Sequence, residues 1–220
     1  MANLVQLKVL EGLSGFLLVD KPAGIAFSSV VKAVKRKFNL VKVGHGGSLD
    51  AMASGLFVLL INEANKFAGD VMGADRTWTG TIRPGLVTDT GDIHGRPVPP
   101  PERVPDPAEF RGDIFQTEPR YCAIRREGTA DYEIVDTGEH EPFLAHVYRL
   151  KLDGNAFELR ASKGVIVRAL VRDMGACLET LRRTSVGRFS VDDAIPFERL
   201  LTTEMGDFAS CVTPLSAALR

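Results

Sequence analysis

The stretch Gly44-His45-Gly46-Gly47-Ser48-Leu49-Asp50-Ala51-Met52-Ala53-Ser54-Gly55 sets one carboxylate, that of Asp50, inside a glycine-rich loop. Glycine permits backbone angles that side chains forbid and lets another backbone approach closely, so this loop can form a tight wall. Val41 and Val43 alternate with polar residues before it, and the apolar run LFVLLI (residues 56–61) follows it. Both patterns are typical of strands, which predicts a rigid setting for Asp50.

Two interpretations of Asp50 are open at this point. An Asp after a glycine-rich turn is often a helix N-cap that accepts hydrogen bonds from amides two and three residues later. The same carboxylate, fixed between two strands, is also a candidate catalytic group. The local spacing alone does not separate the two interpretations.

The composition is that of an ordinary globular protein. The chain has 220 residues, of which 45% are hydrophobic and 25% charged, enough for a full core. Its start lacks the pattern of a signal peptide, and no apolar run approaches the ~18 residues that span a bilayer. The sequence therefore predicts a cytoplasmic protein that does not bind membranes.

Neither metal binding nor an overall attraction to nucleic acid is indicated. The four histidines and three cysteines follow no metal-ligand spacing, so no metal site is predicted. Since the net charge is −1, any RNA binding must rest on local basic patches, with solvated helix faces as the alternative. One patch precedes the Asp50 loop: Lys32, Lys35, Arg36, Lys37 and Lys42. The other lies in the last third: Arg160, Lys163, Arg168, Arg172, Arg182, Arg183 and Arg188.

Hydrophobic periodicity gives a coarse secondary structure that mixes strands and helices. Strands are predicted over residues 15–19 and 76–83, helices from Ser28 or Ser29 to Phe38 and over 62–73, and a hairpin over 147–161. In that hairpin, Val147 and Arg149 should share one face. Beyond Arg168 the strand-like residues give way to a helical pattern that runs to Leu181.

Two segments are predicted to be irregular. Residues 96–107 hold six of the twelve prolines, which remove backbone donors, so they form a connector. Residues 129–142 are polar and acidic, which predicts an exposed loop over about 125–145. The sequence has no repeat, and its length suits one large domain or two small ones.

Six blocks in order along the chain resemble the TruB-type tRNA pseudouridine synthases. They are DKPAG (20–24), GHGGSLDAMASG (44–55), GLVTDTGD (85–92), FRGDI (110–114) with Pro119 and Tyr121, SKG (162–164) with Arg168, and LRR (181–183). The agreement runs from about residue 15 to the C-terminus, so the resemblance implies that residues 1–220 form a single catalytic domain. Six ordered motifs are far more specific than any single loop, and they favour the catalytic interpretation of Asp50.

The resemblance implies an α+β protein with the pseudouridine synthase fold: a mixed, mainly antiparallel sheet flanked by helices, with a loop insertion that grips RNA. It implies that the chain isomerises a uridine to pseudouridine in structured RNA, with tRNA as the partner and uridine 55 of the T loop as the target. The reaction would need no metal and no other cofactor. Asp50 would be the nucleophile, attacking either the base or the sugar of a flipped-out uridine.

The resemblance also implies roles for six further residues. Arg168 would pair with Asp50 within about 6 Å, keeping the carboxylate ionised at the floor of the pocket. His45 would help to displace the target nucleotide and contact it, Leu181 would line the uracil pocket, and Lys21 would be a supporting part beside it. Two positions depart from the family: Trp78 and Ile166 stand where its members have tyrosines. Trp78 can still stack on a base but has no acid–base group in the useful range.

Other departures bear on RNA binding. Asp136, within the acidic segment, stands where the family has a basic residue, and acidic groups repel phosphate. The chain ends where the catalytic domain of the family ends, so the PUA domain of many relatives is expected to be absent. A protein or ribonucleoprotein partner could compensate for it. The alternative function is therefore an inactive member that serves as an RNA-binding or ribonucleoprotein assembly factor.

Overall fold

The apolar run after the Asp50 loop forms a buried central strand. In the computed structural model of the chain, this strand, β3, spans Ser54–Ile61, and all of its residues from Gly55 onward are buried. It pairs antiparallel with the first strand, in register from Gly15↔Ile61 to Lys21↔Gly55. The structure describes residues 12–117, 121–125, 132–136 and 141–218.

The described residues contain five α-helices and fifteen strands. The helices are α1 (Phe27–Lys37), α2 (Ala68–Gly73), α3 (Val167–Asp173), α4 (Phe197–Thr202) and α5 (Leu215–Ala218). The strands are β1 (Gly15–Lys21), β2 (Val43–His45), β3 (Ser54–Ile61), β4 (Arg76–Pro84), β5 (Val87–Thr88), β6 (Pro97–Val98), β7 (Gly112–Gln116), β8 (Tyr121–Arg125), β9 (Tyr132–Asp136), β10 (Phe143–Asp153), β11 (Ala156–Ala161), β12 (Ala176–Val186), β13 (Phe189–Ser190), β14 (Ile195–Pro196) and β15 (Thr213–Pro214).

The described chain forms two compact units. The first contains the residues up to Ala74 and those from Arg182 onward, and the second is Asp75–Leu181. Whether they fold as a single domain stays a prediction.

In the first unit the strand order is β14, β1, β3 and the end of β12. β3 runs antiparallel to β1 and β2 and parallel to β12. Apolar side chains of β1 and β3, with Ala64, Val71 and Val186, form a core cluster. Helix α1 buries Phe27, Val30 and Val34 on one face, as the apolar spacing predicts.

In the second unit the start of β12 is followed in order by β4, β11, β10 and β7. The last four strands pair antiparallel. The predicted α+β class with mainly antiparallel pairing is therefore confirmed, and so are the strand at residue 76 and the hairpin at residue 147. The predicted irregularity of residues 96–107 holds except for the short strand β6.

Two local predictions are wrong. The chain is helical over Val167–Asp173 and extended over Ala176–Val186, the reverse of the predicted order. Gly175, with φ of +73°, ends the helix in the left-handed region. A bulge between Val147 and Arg149 shifts the register of β10, so Val147 is buried while Arg149 is exposed. The helix predicted over residues 62–73 is confirmed; it starts as a 3₁₀ helix and continues as α2.

The predicted exposed loop over about 125–145 contains a strand. β9 (Tyr132–Asp136) pairs antiparallel with β8 (Tyr121–Arg125), and β10 begins at Phe143. The remainder of the acidic segment, 126–131 and 137–140, lies outside the described residues, so its RNA-gripping role stays a prediction.

Candidate active site

Asp50 lies in the turn that joins β2 to β3. Its carbonyl oxygen accepts a hydrogen bond from the amide of Ala53 at 3.1 Å, which closes the turn. Leu49 and Ala53 are buried on either side and anchor the loop. No helix follows Asp50, because the chain enters β3 at Ser54, so the N-cap interpretation is wrong. The Asp50 side chain is half-buried, which is compatible with a carboxylate that a substrate can reach.

Two glycines of the loop are required by close packing. A Cβ at Gly46 would collide with Val71 of α2, so the loop lies directly against that helix. Gly55 has φ of +100°, and a Cβ there would collide with the backbone of Arg183. The second contact follows from the parallel pairing of Gly55 with Arg183. The loop is thus held between α2 and β12.

The side chain of Lys21 supports the Asp50 loop. This side chain is fully buried, and its Nζ donates hydrogen bonds to the carbonyl oxygens of Pro22 at 2.8 Å, Ile25 at 2.8 Å and Ala51 at 3.3 Å. Lys21 is therefore a buried residue of the DKPAG turn, not a surface one. With three acceptors for its three N–H donors, the amine positions backbone.

Burial lowers the pKa of Lys21 to about 8, and the positive charge of Arg183 adds to that shift. The negative charge of Asp50 acts in the opposite direction and favours the charged amine. The Lys21 ammonium and the Asp50 carboxylate therefore attract each other.

Arg183 is a second buried cation beside the loop. It is 1% exposed, and its Nε donates to the carbonyl oxygen of Leu56 at 2.8 Å while Nη1 donates to that of Ser48 at 2.9 Å. One guanidinium therefore ties both ends of the Asp50 turn to β12. Sequence reasoning placed Arg183 in a surface patch, and only its position in the LRR motif pointed to the site.

His45 ends β2 and is held by aromatic side chains. Its ring makes an edge contact with Phe27 at 5.2 Å between centroids and lies 5.9 Å from the ring of Phe57. Nδ1 accepts a hydrogen bond from the amide of Gly47 at 3.2 Å. In the neutral ring this leaves Nε2 as the donor. The first unit thus brings together His45, Lys21 and Asp50 of the predicted site residues.

The other four predicted site residues belong to the second unit. Arg168 lies in the first turn of α3, and its side chain is 9% exposed. Nη1 donates to the carbonyl oxygen of Thr90 at 2.7 Å, and Gly91 packs on the Arg168 backbone. The GLVTDTGD motif therefore positions this arginine, a role that the sequence did not reveal.

Ile166 immediately precedes α3 and is fixed by the buried side chain of Gln116. The Gln116 amide donates to the carbonyl oxygen of Ile166 at 3.2 Å and accepts from its backbone N–H at 3.1 Å. Trp78 lies on β4 opposite Leu159 of β11, and Leu181 lies on β12. The side chains of Trp78 and Leu181 are buried, at 7% and 4% exposure.

The basic patch predicted for the last third of the chain is not one surface. Arg168 and Arg183 are buried, while Arg160 pairs with Asp75 and Arg182 with Asp20. By contrast, Lys32, Lys35, Arg36 and Lys42 of the first patch are exposed on and just after α1.

Two features are absent from the described residues. Among their His, Cys, Asp and Glu side chains, no group of three or more is placed to hold a metal ion. Likewise, no helix in the described part of the chain is long and apolar enough to cross a membrane.

Residues 35–157 match the family model described as TruB family pseudouridylate synthase (N terminal domain). The chain belongs to this family. A relative named tRNA pseudouridine synthase B, from Opitutus terrae, is 35% identical over 94% of this chain and 95% of its own length. Another of the same name, from an Azoarcus species, is 37% identical over 84% of this chain and 69% of its own length.

Solved structures support the fold of this TruB family member. A chain from a Cbf5-Nop10-Gar1 complex superposes with a TM-score of 0.68 at 21% identity, over 96% of this chain and 63% of the other. A chain from an H/ACA RNP bound to a substrate RNA containing 2'-deoxyuridine gives a TM-score of 0.66 at 20% identity. This chain spans 62% of that second chain. Family and fold together identify an enzyme that isomerises uridine to pseudouridine.

Proposed function

We propose that this chain converts a uridine in the T loop of tRNA to pseudouridine, with Asp50 as the nucleophile. The observation that carries the proposal is the Asp50 turn, tied down by the two buried cations Lys21 and Arg183. A nucleophilic carboxylate must be ionised and held still, and nearby buried cations provide both conditions. The tRNA substrate rests on the relatives, which are named tRNA pseudouridine synthase B.

The reaction needs no net oxidation, reduction or added group. The Asp50 carboxylate attacks the flipped-out uridine at the base or at the sugar, and the bond between N1 and the sugar breaks. The uracil turns, a bond forms between C5 and the same sugar carbon, and Asp50 leaves. The proton on C5 is lost, and N1 of the product carries a proton. Atoms balance, since uridine and pseudouridine are isomers.

We propose Arg168 as the cation that keeps the nucleophile ionised and orients it. This role rests on the resemblance of its motif to that of the family, together with its burial. An arginine this buried needs a partner that uses its donors, and a carboxylate is the strongest one. Replacing Arg168 with Lys should lower kcat far more than it raises KM.

We assign Trp78, Ile166 and Leu181 to the walls of the uracil pocket, and His45 to the displacement of the target nucleotide. If Trp78 is needed only for stacking, Trp78→Tyr will keep the rate of pseudouridine formation within about threefold, whereas Trp78→Ala will lose it. A rate that rises at least tenfold in Trp78→Tyr would show that the tyrosine hydroxyl matters.

The RNA backbone would contact the exposed cations Lys32, Lys35, Arg36 and Lys42. Helix α1 has basic residues but no acidic residue in its terminal turns, so this face suits phosphate. Neutralising two of these lysines should weaken tRNA binding and flatten its salt dependence.

The decisive experiment measures tritium release from tRNA transcripts that carry tritium at C5 of uridine. The purified chain should release one tritium per tRNA, and sequencing should place the pseudouridine in the T loop. Asp50→Asn should release none, while the exposed control Asp193→Asn should match the parent. Release that persists in Asp50→Asn would refute the nucleophile. Tight tRNA binding without any release by the parent would favour the alternative, an RNA-binding or assembly factor.

A further inference from the structure

An aromatic pocket in the first unit is lined by residues other than those assigned a role above. Its volume is about 190 Å³. Three rings line it, those of Phe16, Phe67 and Phe189, with Phe16 5.1 Å from Phe189 and 6.3 Å from Phe67 between centroids. Val71 and Val186 are buried and close its apolar wall. This geometry suits a flat ring that can stack on aromatic side chains.

The polar groups of the pocket are one cation and one anion. The guanidinium of Arg188 lies over the ring of Phe189 at 5.4 Å, and the Asp70 side chain belongs to the same lining. Both residues are exposed. Within the described part of the chain, neither side chain has a hydrogen bond or an ion pair with another residue. The mouth therefore offers unused donors for an anion and an unused acceptor for an amino group.

The pocket adjoins the active-site loop. Val71 forms part of its wall, and the same side chain packs against Gly46, next to His45. One side chain thus separates the pocket from the loop that carries Asp50.

We propose that this pocket binds a second unstacked nucleotide of the RNA substrate, whose base lies among the three phenylalanines. Arg188 binds the phosphate of that nucleotide, and Asp70 accepts a hydrogen bond from an exocyclic amino group of the base. The required amino group restricts the base to adenine, cytosine or guanine. The inference rests on the proposed function in one respect, that the chain acts on RNA.

The test compares Arg188→Gln with Arg199→Gln, an exposed arginine of α4 that serves as the control for loss of one charge. The dissociation constant for unmodified tRNA transcript is measured at several salt concentrations. Arg188→Gln should weaken binding on the order of tenfold and reduce the salt slope by about one. Arg199→Gln should change neither. At saturating tRNA, the rate of pseudouridine formation in Arg199→Gln should equal that of the parent.

The base contact is tested separately with Phe67→Leu, which keeps apolar bulk but removes one ring. Dimethyl sulfate probing of bound tRNA should show one protected adenine or cytosine, or an altered guanine, outside the target uridine. That protection should be lost in Phe67→Leu, and the unfolding temperature verifies that the variant is folded.

Binding and protection that are unchanged in both pocket variants would overturn the proposal, whether or not the parent makes pseudouridine. If AMP or CMP binds in an Arg188-dependent way while tRNA affinity does not change, the pocket serves free nucleotides and the RNA proposal is again wrong. Absence of tritium release from the parent, with Arg188-dependent tRNA binding intact, would refute only the proposed catalysis.

Discussion

The Nζ of Lys21 donates a hydrogen bond to the carbonyl oxygen of Ala51, the residue next to Asp50, at 3.3 Å. The same carbonyl accepts the backbone N–H of Gly24 at 2.7 Å. The DKPAG turn and the Asp50 turn are therefore fastened at one oxygen atom. Two motifs that lie about thirty residues apart in the sequence thus act as one structural element, and Lys21 is its centre.

The first prediction concerns the pH dependence of stability. Below pH 8 Lys21 is charged in the folded and the unfolded chain, and the cost of burying the charge is fully present. Between about 8 and 10.5 the folded chain releases a proton that the unfolded chain keeps. Stability rises with pH wherever the unfolded state binds more protons. The free energy of unfolding, relative to Lys21→Met, should therefore rise by roughly 3 kcal/mol across this window.

Urea denaturation of both proteins at several pH values across the window measures this difference. Lys21→Met carries no titrating group at the position, so the contributions of all other groups cancel. A difference that stays flat with pH would mean that the pKa of Lys21 is not lowered.

The second prediction concerns Arg183. A lysine at this position places all its donors on one nitrogen atom, whereas Arg183 reaches Leu56 and Ser48 from two separate nitrogens, so one buried carbonyl should lose its donor. Arg183→Lys should lower the free energy of unfolding by about 2–4 kcal/mol and should reduce kcat more than it raises KM.

Arg182→Lys is the matched control for Arg183→Lys. Arg182 is the neighbouring residue, and its pair with Asp20 is partly exposed to solvent. Because exposed pairs contribute little, this variant should cost no more than about 1 kcal/mol. Equal losses in chemical denaturation would contradict the role assigned to the buried guanidinium.

The third prediction separates backbone strain from packing. Gly24 and Gly55 both have positive φ, at +85° and +100°, but only Gly55 faces a neighbour, the backbone of Arg183. Gly24→Ala should cost about 1–2 kcal/mol from the left-handed conformation alone. Gly55→Ala must also push β12 away from β3, so its cost should exceed that of Gly24→Ala by at least about 2 kcal/mol. Thermal unfolding of the two variants compares them directly; similar unfolding temperatures would argue against the tight contact.

The sequence predicted those parts of the fold that depend on local pattern. β1, β3 and α1 follow from apolar periodicity, because each buries one continuous face or run. The prediction for the segment after Arg168 is wrong, because a continuous apolar run fits the periodicity of a helix and that of a strand equally well. The helix stop at Gly175 is the feature that distinguishes a helix from a strand here.

The candidate site could be predicted only in part, because local patterns do not record contacts between residues that are distant in the sequence. Asp50, His45 and Lys21 come from short contiguous motifs, and the first unit brings them together. The supports of the site, Arg183 and Gln116, act on backbone atoms far away in sequence. No local pattern records which carbonyl a distant side chain will reach, since that depends on strand order and register.

The last prediction concerns Gln116, which both donates to and accepts from the backbone of Ile166. In Gln116→Glu one oxygen can still accept the N–H of Ile166, but the other faces its carbonyl oxygen and has no proton to donate. A charge is also buried, because Gln116 is 1% exposed. The variant should lose about 1–3 kcal/mol of stability. Because Ile166 is assigned to the uracil pocket, the KM for tRNA should rise.

Phe115→Ser provides the control on the same strand, since Phe115 is 73% exposed. It should change the free energy of unfolding by no more than about 0.5 kcal/mol and leave KM unchanged. Equilibrium denaturation and steady-state tritium release measure the two quantities for both variants. If Gln116→Glu is as stable as Phe115→Ser, the amide does not hold Ile166. If its stability falls while KM stays at the value of the parent, Ile166 does not contact the target uracil.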